Sequence, residues 1–70
     1  MKVEIFNHDN DGYQIIYIDG KNVGVIHFND DLLGDTAYQI IELLGHDLTV
    51  GWHEDMPDSY REECKEYLDE

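Results

Sequence analysis

An Asp19-Gly20 pair stands between two runs of strand-forming residues and defines the local topology of this chain. Residues 13–18, YQIIYI, and residues 23–28, VGVIHF, are rich in β-branched and aromatic side chains. Asp-Gly between apolar runs favours a tight turn whose central residues have positive φ, and such turns join antiparallel strands. The sequence therefore predicts a β-hairpin with Asp19-Gly20-Lys21-Asn22 as its connection.

Two further segments have the pattern of strands. Residues 3–6, VEIF, predict a first strand, and the polar residues 7–12 predict a turn before the hairpin. Leu48, Val50 and Trp52 alternate with Thr and Gly, which predicts a short fourth strand.

A helix is predicted between the third and fourth strands. It begins either at residues 29–31, whose side-chain oxygens can cap a helix, or at Asp35 after Gly34. Gly45 is suited to end it. Four apolar residues recur at three- and four-residue spacing and predict its buried stripe: Ala37, Ile40, Ile41 and Leu44.

A second helix is predicted after Pro57, because proline suits a first helical turn. Ser59 and Glu62 have the spacing of a capping box. Four apolar residues predict one stripe on this helix: Tyr60, Cys64, Tyr67 and Leu68. We expect Cys64 to be a core residue and not a nucleophile.

The order β-β-β-α-β-α indicates an α+β fold, in which a small antiparallel sheet packs against two helices. The 70 residues form one domain, residues 1–70. Hydrophobic residues make up 41% of the chain, which is enough for a modest core. A single cysteine and the lack of an apolar signal stretch predict a cytoplasmic protein, and no run is long enough to span a membrane.

Charge restricts the function more than any motif does. Seventeen acidic residues and four basic residues give a net charge of −13. Residues 1–28 have two bases and four acids, whereas residues 29–70 have two bases and thirteen acids. This balance argues against direct binding to nucleic acid or to an anionic membrane and favours a basic protein partner.

The sequence contains no recognisable catalytic or metal-binding motif. The histidines and the cysteine lack the short paired spacing of structural zinc sites. The stretch Asn7-x-Asp9-x-Asp11-Gly12 is similar to the start of a calcium loop, but Ile18 stands where that loop needs a glutamate. We expect no catalytic residue, no cofactor and no metal, and therefore no enzyme.

Carboxylates concentrate in the last helix. Asp58, Glu62 and Glu66 stand four residues apart, so one helix face would carry a carboxylate every ~6 Å. The phosphates of a nucleic-acid strand recur every ~3.4 Å, and arginines and lysines bind both groups. The alternative is an ordinary solvated helix face. The acidic residues predicted to bind the partner are Asp55, Asp58, Glu62, Glu63, Glu66, Asp69 and Glu70.

Trp52 precedes this acidic segment and has two interpretations. It is either a large core filler, which is the favoured interpretation, or an exposed anchor for a partner. It is included among the predicted partner-binding residues.

In size, charge and acidic second half, the chain resembles the small acidic inhibitors encoded by phages and mobile elements. These include anti-CRISPR and anti-restriction proteins that act as DNA mimics. The resemblance implies an inhibitor that binds a basic nucleic-acid-binding protein, such as a CRISPR or restriction nuclease, and excludes its nucleic acid.

A second resemblance is local. Residues 9–13, DNDGY, before a strand and residues 34–37, GDTA, at the start of a helix are similar to HicB-type antitoxins over about residues 3–50. Asp19-Gly20-Lys21-Asn22 replaces a proline-containing turn, and an acidic helix stands where a DNA-binding extension is expected. This resemblance implies a protein that covers a small basic ribonuclease toxin. The alternative function is therefore an interaction module that binds a protein partner without mimicry, or forms a homodimer.

Overall fold

The computed structural model describes residues 1–8, 12–26 and 32–68. A 3₁₀ turn at His53–Asp55 connects the last strand to the C-terminal helices. The predicted α+β class and the predicted β-β-β-α-β-α order are confirmed. The strands and helices are, in chain order, β1 (Lys2–His8), β2 (Tyr13–Ile18), β3 (Lys21–Ile26), α1 (Asp35–Leu43), β4 (Asp47–Trp52), α2 (Asp58–Glu63) and α3 (Lys65–Leu68).

The four strands form one sheet in the order β3-β2-β1-β4. β1 pairs with β2, and β2 with β3, in antiparallel fashion, whereas β1 and β4 are parallel. The sheet is therefore mixed, which corrects the expectation of an antiparallel sheet. The reason is α1, which returns the chain to the end of the sheet where β3 began, so that β4 runs in the direction of β1.

The β2–β3 hairpin turns at Asp19 and Gly20, as predicted. Both residues have positive φ, 50° and 81°. The Asp19 side chain also accepts a 2.8 Å hydrogen bond from the backbone N–H of Lys2, which ties the turn to β1. β3 begins at Lys21, two residues earlier than predicted, and the end of the predicted strand lies outside the described residues.

Helix α1 begins at Asp35, with Gly34 as its N-cap residue. The alternative start at residues 29–31 lies outside the described part of the chain. After the helix, Gly45 adopts a φ of 90°, as expected for a residue that ends a helix.

The predicted buried stripe of α1 is wrong at two of its four positions. Ala37 and Ile41 are half-buried, whereas Ile40 and Leu44 are exposed. The Tyr38 hydroxyl lies 3.2 Å from the amide nitrogen of buried Gln14. This contact turns the Tyr38 side of the helix toward the sheet and the Ile40 side away from it.

The main core lies between the sheet and the C-terminal segment. Phe6, Ile15 and Tyr17 on the sheet are buried against Met56 and Cys64. The prediction that Cys64 is a core residue is confirmed. This face of the sheet is the one that α2 covers.

The opposite face of the sheet is the α1 face. Gln14 is almost fully buried there, and its amide nitrogen donates to Asn7 Oδ1 at 2.9 Å and to the Leu33 carbonyl at 3.0 Å. Gln14 Oε1 accepts the N–H of Leu33 at 2.7 Å. These hydrogen bonds attach the segment before α1 to the sheet.

The predicted C-terminal helix is divided into α2 and α3 at Cys64, whose φ is −107° and ψ is 16°. Pro57 is the N-cap residue of α2, and no side chain caps that end. The predicted capping box of Ser59 and Glu62 is therefore wrong, because the helix begins one residue before Ser59. No helix within the described ranges is long and apolar enough to cross a membrane.

Candidate protein-binding surfaces

The predicted acidic residues that the structure describes all lie at the surface. Asp69 and Glu70 lie outside the described residues. The exposed carboxylates of the segment from the 3₁₀ turn to α3 are Glu54, Asp55, Asp58, Glu62, Glu63 and Glu66. We call these six residues the acidic segment.

The acidic segment is not a single straight row. Asp58 and Glu62 stand four residues apart on α2 and share one face of it. The interruption at Cys64 places Glu66 on α3, so it does not continue that face as the sequence predicted. The carboxylates are therefore distributed over a 3₁₀ turn and two short helices.

Few cations neutralise these carboxylates. Lys65 Nζ lies 3.2 Å from Glu62 Oε1, and both side chains are largely exposed. The guanidinium of Arg61 instead donates to the His53 carbonyl at 2.9 Å. Residues 22–60 contain no lysine or arginine. An exposed pair such as Lys65–Glu62 contributes little to stability, so most of the negative charge faces solvent without compensation.

Glu63 has a role that the sequence did not indicate. The buried hydroxyl of Tyr17 donates to Glu63 Oε1 at 2.5 Å and lies 3.2 Å from Cys64 Sγ. Burial raises the pKa of Tyr17 well above its ordinary value, and the hydrogen bonds with Cys64 and Glu63 add to that effect. One oxygen of this carboxylate therefore holds α2 on the sheet.

Tyr60 makes the second attachment of α2. Its hydroxyl donates to Glu4 Oε1 at 2.9 Å, and Glu4 is a buried residue of β1. This hydrogen bond is the main cause of the raised pKa of Tyr60. Phe6 contacts the Tyr17 and Tyr60 rings edge-on, with centroids 6.3 Å and 6.1 Å away. The acidic segment thus rests on a packed aromatic support.

Trp52 is 52% exposed, so the interpretation as a core filler is wrong. It pairs in register with Asn7, whose side chain bonds to Gln14 on the α1 face. Paired residues of neighbouring strands point to the same side of a sheet. Trp52 therefore belongs to the α1 face, whereas α2 covers the other face, and Trp52 directly precedes the 3₁₀ turn that carries Glu54 and Asp55.

Sequence reasoning missed a group of exposed apolar residues on the α1 side. Leu43 is 86% exposed and Leu44 is 68% exposed, although both belong to the apolar sector of α1 and its C-cap. The sequence could have indicated this exposure, because α1 and its C-cap contain more apolar residues than one buried stripe can accommodate.

The histidines do not form a metal site in the part of the chain that the structure describes. No group of three or more His, Cys, Asp or Glu side chains in that part could hold a metal ion. The rings of His8 and His53 instead stack with centroids 4.1 Å apart. The calcium-like stretch falls largely on residues 9–11, outside the described residues.

A scan against protein-family models and searches of curated proteins and of solved structures find no match to this chain.

Proposed function

We propose that this domain binds a basic, nucleic-acid-binding protein through the acidic segment and occupies the surface that nucleic acid would take. A CRISPR or restriction nuclease is the kind of partner that fits. The observation that supports this function is a set of six exposed carboxylates, whose one ion pair within the described part of the chain is Lys65–Glu62. The role is binding and inhibition, without catalysis.

The repulsion between these carboxylates destabilises the domain, and that destabilisation supports a binding role for them. Asp58 and Glu62 are like charges four residues apart on a helix, which destabilises the helix by a few tenths of a kcal/mol. A net charge of −13 adds self-repulsion across a domain of 70 residues. If the charges served only to keep the protein soluble, a surface with interspersed positive and negative side chains would serve equally well.

The attachment of the acidic segment to the sheet also favours binding. Glu63 and Tyr60 attach α2 to the sheet, so the neighbouring carboxylates are presented from a fixed helix. A fixed donor or acceptor loses less conformational entropy when it binds than one on a mobile segment. Guanidinium groups on a partner would form charge-assisted hydrogen bonds with Asp58, Glu62 and Glu66.

Affinity capture from lysate of the native host, at low and at high salt, tests this function. We expect a basic nucleic-acid-binding protein to be retained at low salt and displaced both by high salt and by added DNA. Retention of a neutral protein at both salt concentrations would contradict the proposal.

A matched pair of triple variants then locates the binding surface on the captured protein. The first variant carries Asp58→Asn, Glu62→Gln and Glu66→Gln, and leaves Glu63 in place because it accepts the Tyr17 hydroxyl. The control carries three neutralising substitutions before α1, at Asp9, Asp11 and Asp30, which belong to no surface that we propose to bind the partner. The first variant should lose affinity at least ~10-fold more than the control; equal losses would show that only total charge matters.

The exposure of Trp52 favours a second function, an interaction module that binds without mimicry. Trp52 ends β4, which is the last strand in the order of the described sheet. A homodimer through this strand would add core to a small domain. Light scattering distinguishes the two, because a dimer whose mass is unchanged by salt supports the module.

A further inference from the structure

A second group of exposed side chains lies on the α1 face of the sheet, opposite the face that α2 covers. Seven large apolar side chains are exposed in the described residues, and five of them belong to α1, its C-cap and β4. We call these five the α1–β4 surface: Ile40 (53% exposed), Leu43 (86%), Leu44 (68%), Val50 (40%) and Trp52 (52%).

The five residues belong to two elements that contact each other. Helix α1 packs against β4. Ile40, Leu43 and Leu44 are three and four residues apart, so they lie along one side of the helix. Val50 and Trp52 are two residues apart on β4 and share one face of the strand, the face on which α1 lies.

Exposed apolar residues concentrated on adjoining elements indicate an interface more often than isolated ones do. A buried leucine stabilises a fold relative to an exposed one, so leaving Leu43 and Leu44 in water forgoes that contribution. Tryptophan is one of the residue types enriched among the strongest contacts of protein interfaces.

Charge identifies the kind of protein that covers this surface. Asp35, Glu42 and Asp47 are the charged residues of α1 and β4, and all three are exposed acids. No lysine or arginine occurs in residues 22–60. A second copy of the chain would bring another −13 charge against the first, and these rims would repel. A cationic partner would meet complementary charge.

We propose that the α1–β4 surface binds an amphipathic, positively charged segment of the partner protein. Apolar side chains of that segment pack on Trp52 and Leu43, and its lysines or arginines face Glu42 and Asp47. That the partner is positively charged rests on the proposed function. The position of the α1–β4 surface is independent of that function, because the surface is on the opposite face of the sheet from α2.

Trp52 is the single tryptophan, so its fluorescence reports on this surface directly. The probe is a synthetic helical peptide of leucine and lysine with all leucines on one face. The control peptide has the same composition in a scrambled order, which keeps the charge and removes the apolar face. We expect the amphipathic peptide to shift Trp52 emission to shorter wavelength and to bind at least ~10-fold more tightly than the scrambled peptide.

Single variants locate the contact. Leu43→Ser should weaken binding of the amphipathic peptide ~10-fold, and because Leu43 is 86% exposed the fold should be retained, which circular dichroism checks. Val23→Ser is the matched control, because Val23 is an exposed apolar residue of β3 outside this surface. The triple variant of Asp58, Glu62 and Glu66 should still shift Trp52 emission with the peptide.

The outcomes separate this inference from the proposed function. Equal binding of both peptides without a Trp52 shift would overturn the α1–β4 surface and leave the charge-based function standing. A Trp52 shift with the amphipathic peptide, together with no basic partner captured from lysate, would support the surface and contradict the proposed function. A shift that depends on protein concentration without peptide, with a dimer mass in light scattering, would show that a second copy is the occupant and overturn the proposal.

Discussion

The rings of Tyr17 and Tyr60 stack almost in parallel, with centroids 3.7 Å apart and planes inclined by 12°. Tyr17 belongs to β2 and Tyr60 to α2, so this stack joins the sheet to the helix that presents the acidic segment. Each hydroxyl then bonds to a carboxylate across the same boundary, Tyr17 to Glu63 of α2 and Tyr60 to Glu4 of the neighbouring strand β1. The position of the acidic segment therefore depends on two reciprocal tyrosine–glutamate contacts.

Tyr17→Phe should lower the free energy of unfolding by ~1 kcal/mol. The substitution keeps the buried ring and its stacking but removes the hydroxyl that bonds to Glu63 and Cys64, and a net contribution of about that size is typical of such a hydrogen bond. Urea unfolding of the two proteins measures the difference. Tyr17→Leu, which also removes the aromatic ring, should cost more; equal losses for the two variants would mean that the hydroxyl contributes little.

The domain should lose stability as the pH rises above about 10. Burial raises the pKa of Tyr17, and the hydrogen bond to Glu4 raises the pKa of Tyr60, so the folded state keeps protons that the unfolded state releases near pH 10. The stabilisation is fully present below that pH and is lost as the pH rises toward the folded-state pKa values.

Urea midpoints measured at pH values of about 8, 10 and 11 check this prediction. Tyr17→Phe is the control, because it has one fewer shifted tyrosine and should lose less stability over the same interval. A parallel decline in both proteins would attribute the alkaline loss to net charge instead of Tyr17.

Gln14→Ala should destabilise the fold by ~3 kcal/mol. Gln14 is almost fully buried, and its amide bonds to the N–H and C=O of Leu33 and to Asn7 Oδ1. Its removal leaves these groups without that partner, at a cost of roughly 1–3 kcal/mol for each one that stays buried. Gln39→Ala is the matched control, because Gln39 is exposed on α1 and should change stability by less than ~0.5 kcal/mol. Thermal or urea unfolding that ranks the two variants equally would contradict the role of Gln14.

Gly20→Ala should destabilise the hairpin by ~1 kcal/mol. Gly20 has a φ of 81°, where a Cβ is strained, although the nearest atom to such a Cβ would be Tyr60 Oη at an ordinary 3.8 Å. The loss therefore comes from backbone strain and not from a clash. Gly51→Ala is the control, because its φ is not in that region and its Cβ would also meet only an ordinary contact. Unfolding measurements should show Gly51→Ala to be neutral or slightly stabilising; a similar loss for both would contradict the strain argument.

The hairpin could be predicted because its cause is local. Asp19 and Gly20 restrict φ within a turn, and the runs on either side favour strands whatever surrounds them. Gly45 ended α1 for the same reason. The element order and the α+β class followed from such short-range signals.

The surfaces depended on contacts between distant residues. Strand alternation places Val50 and Trp52 on one face but does not say how completely a nine-residue helix covers that face. In the same way, nothing near Glu63 in sequence distinguishes it from Glu62, whereas the hydroxyl of Tyr17, 46 residues earlier, donates to Glu63.

Local chemistry thus specified the strands, the helices, their order and an excess of negative charge, because turn residues, periodicity and titratable groups act over a few residues. The parallel β1–β4 pair, the exposure of Trp52 and Leu44, and the attachment of Glu63 to Tyr17 were decided only when the chain packed. Each of them depends on which face of the sheet α1 and α2 cover. Buried area and hydrogen bonds between segments far apart in sequence determine that choice of face.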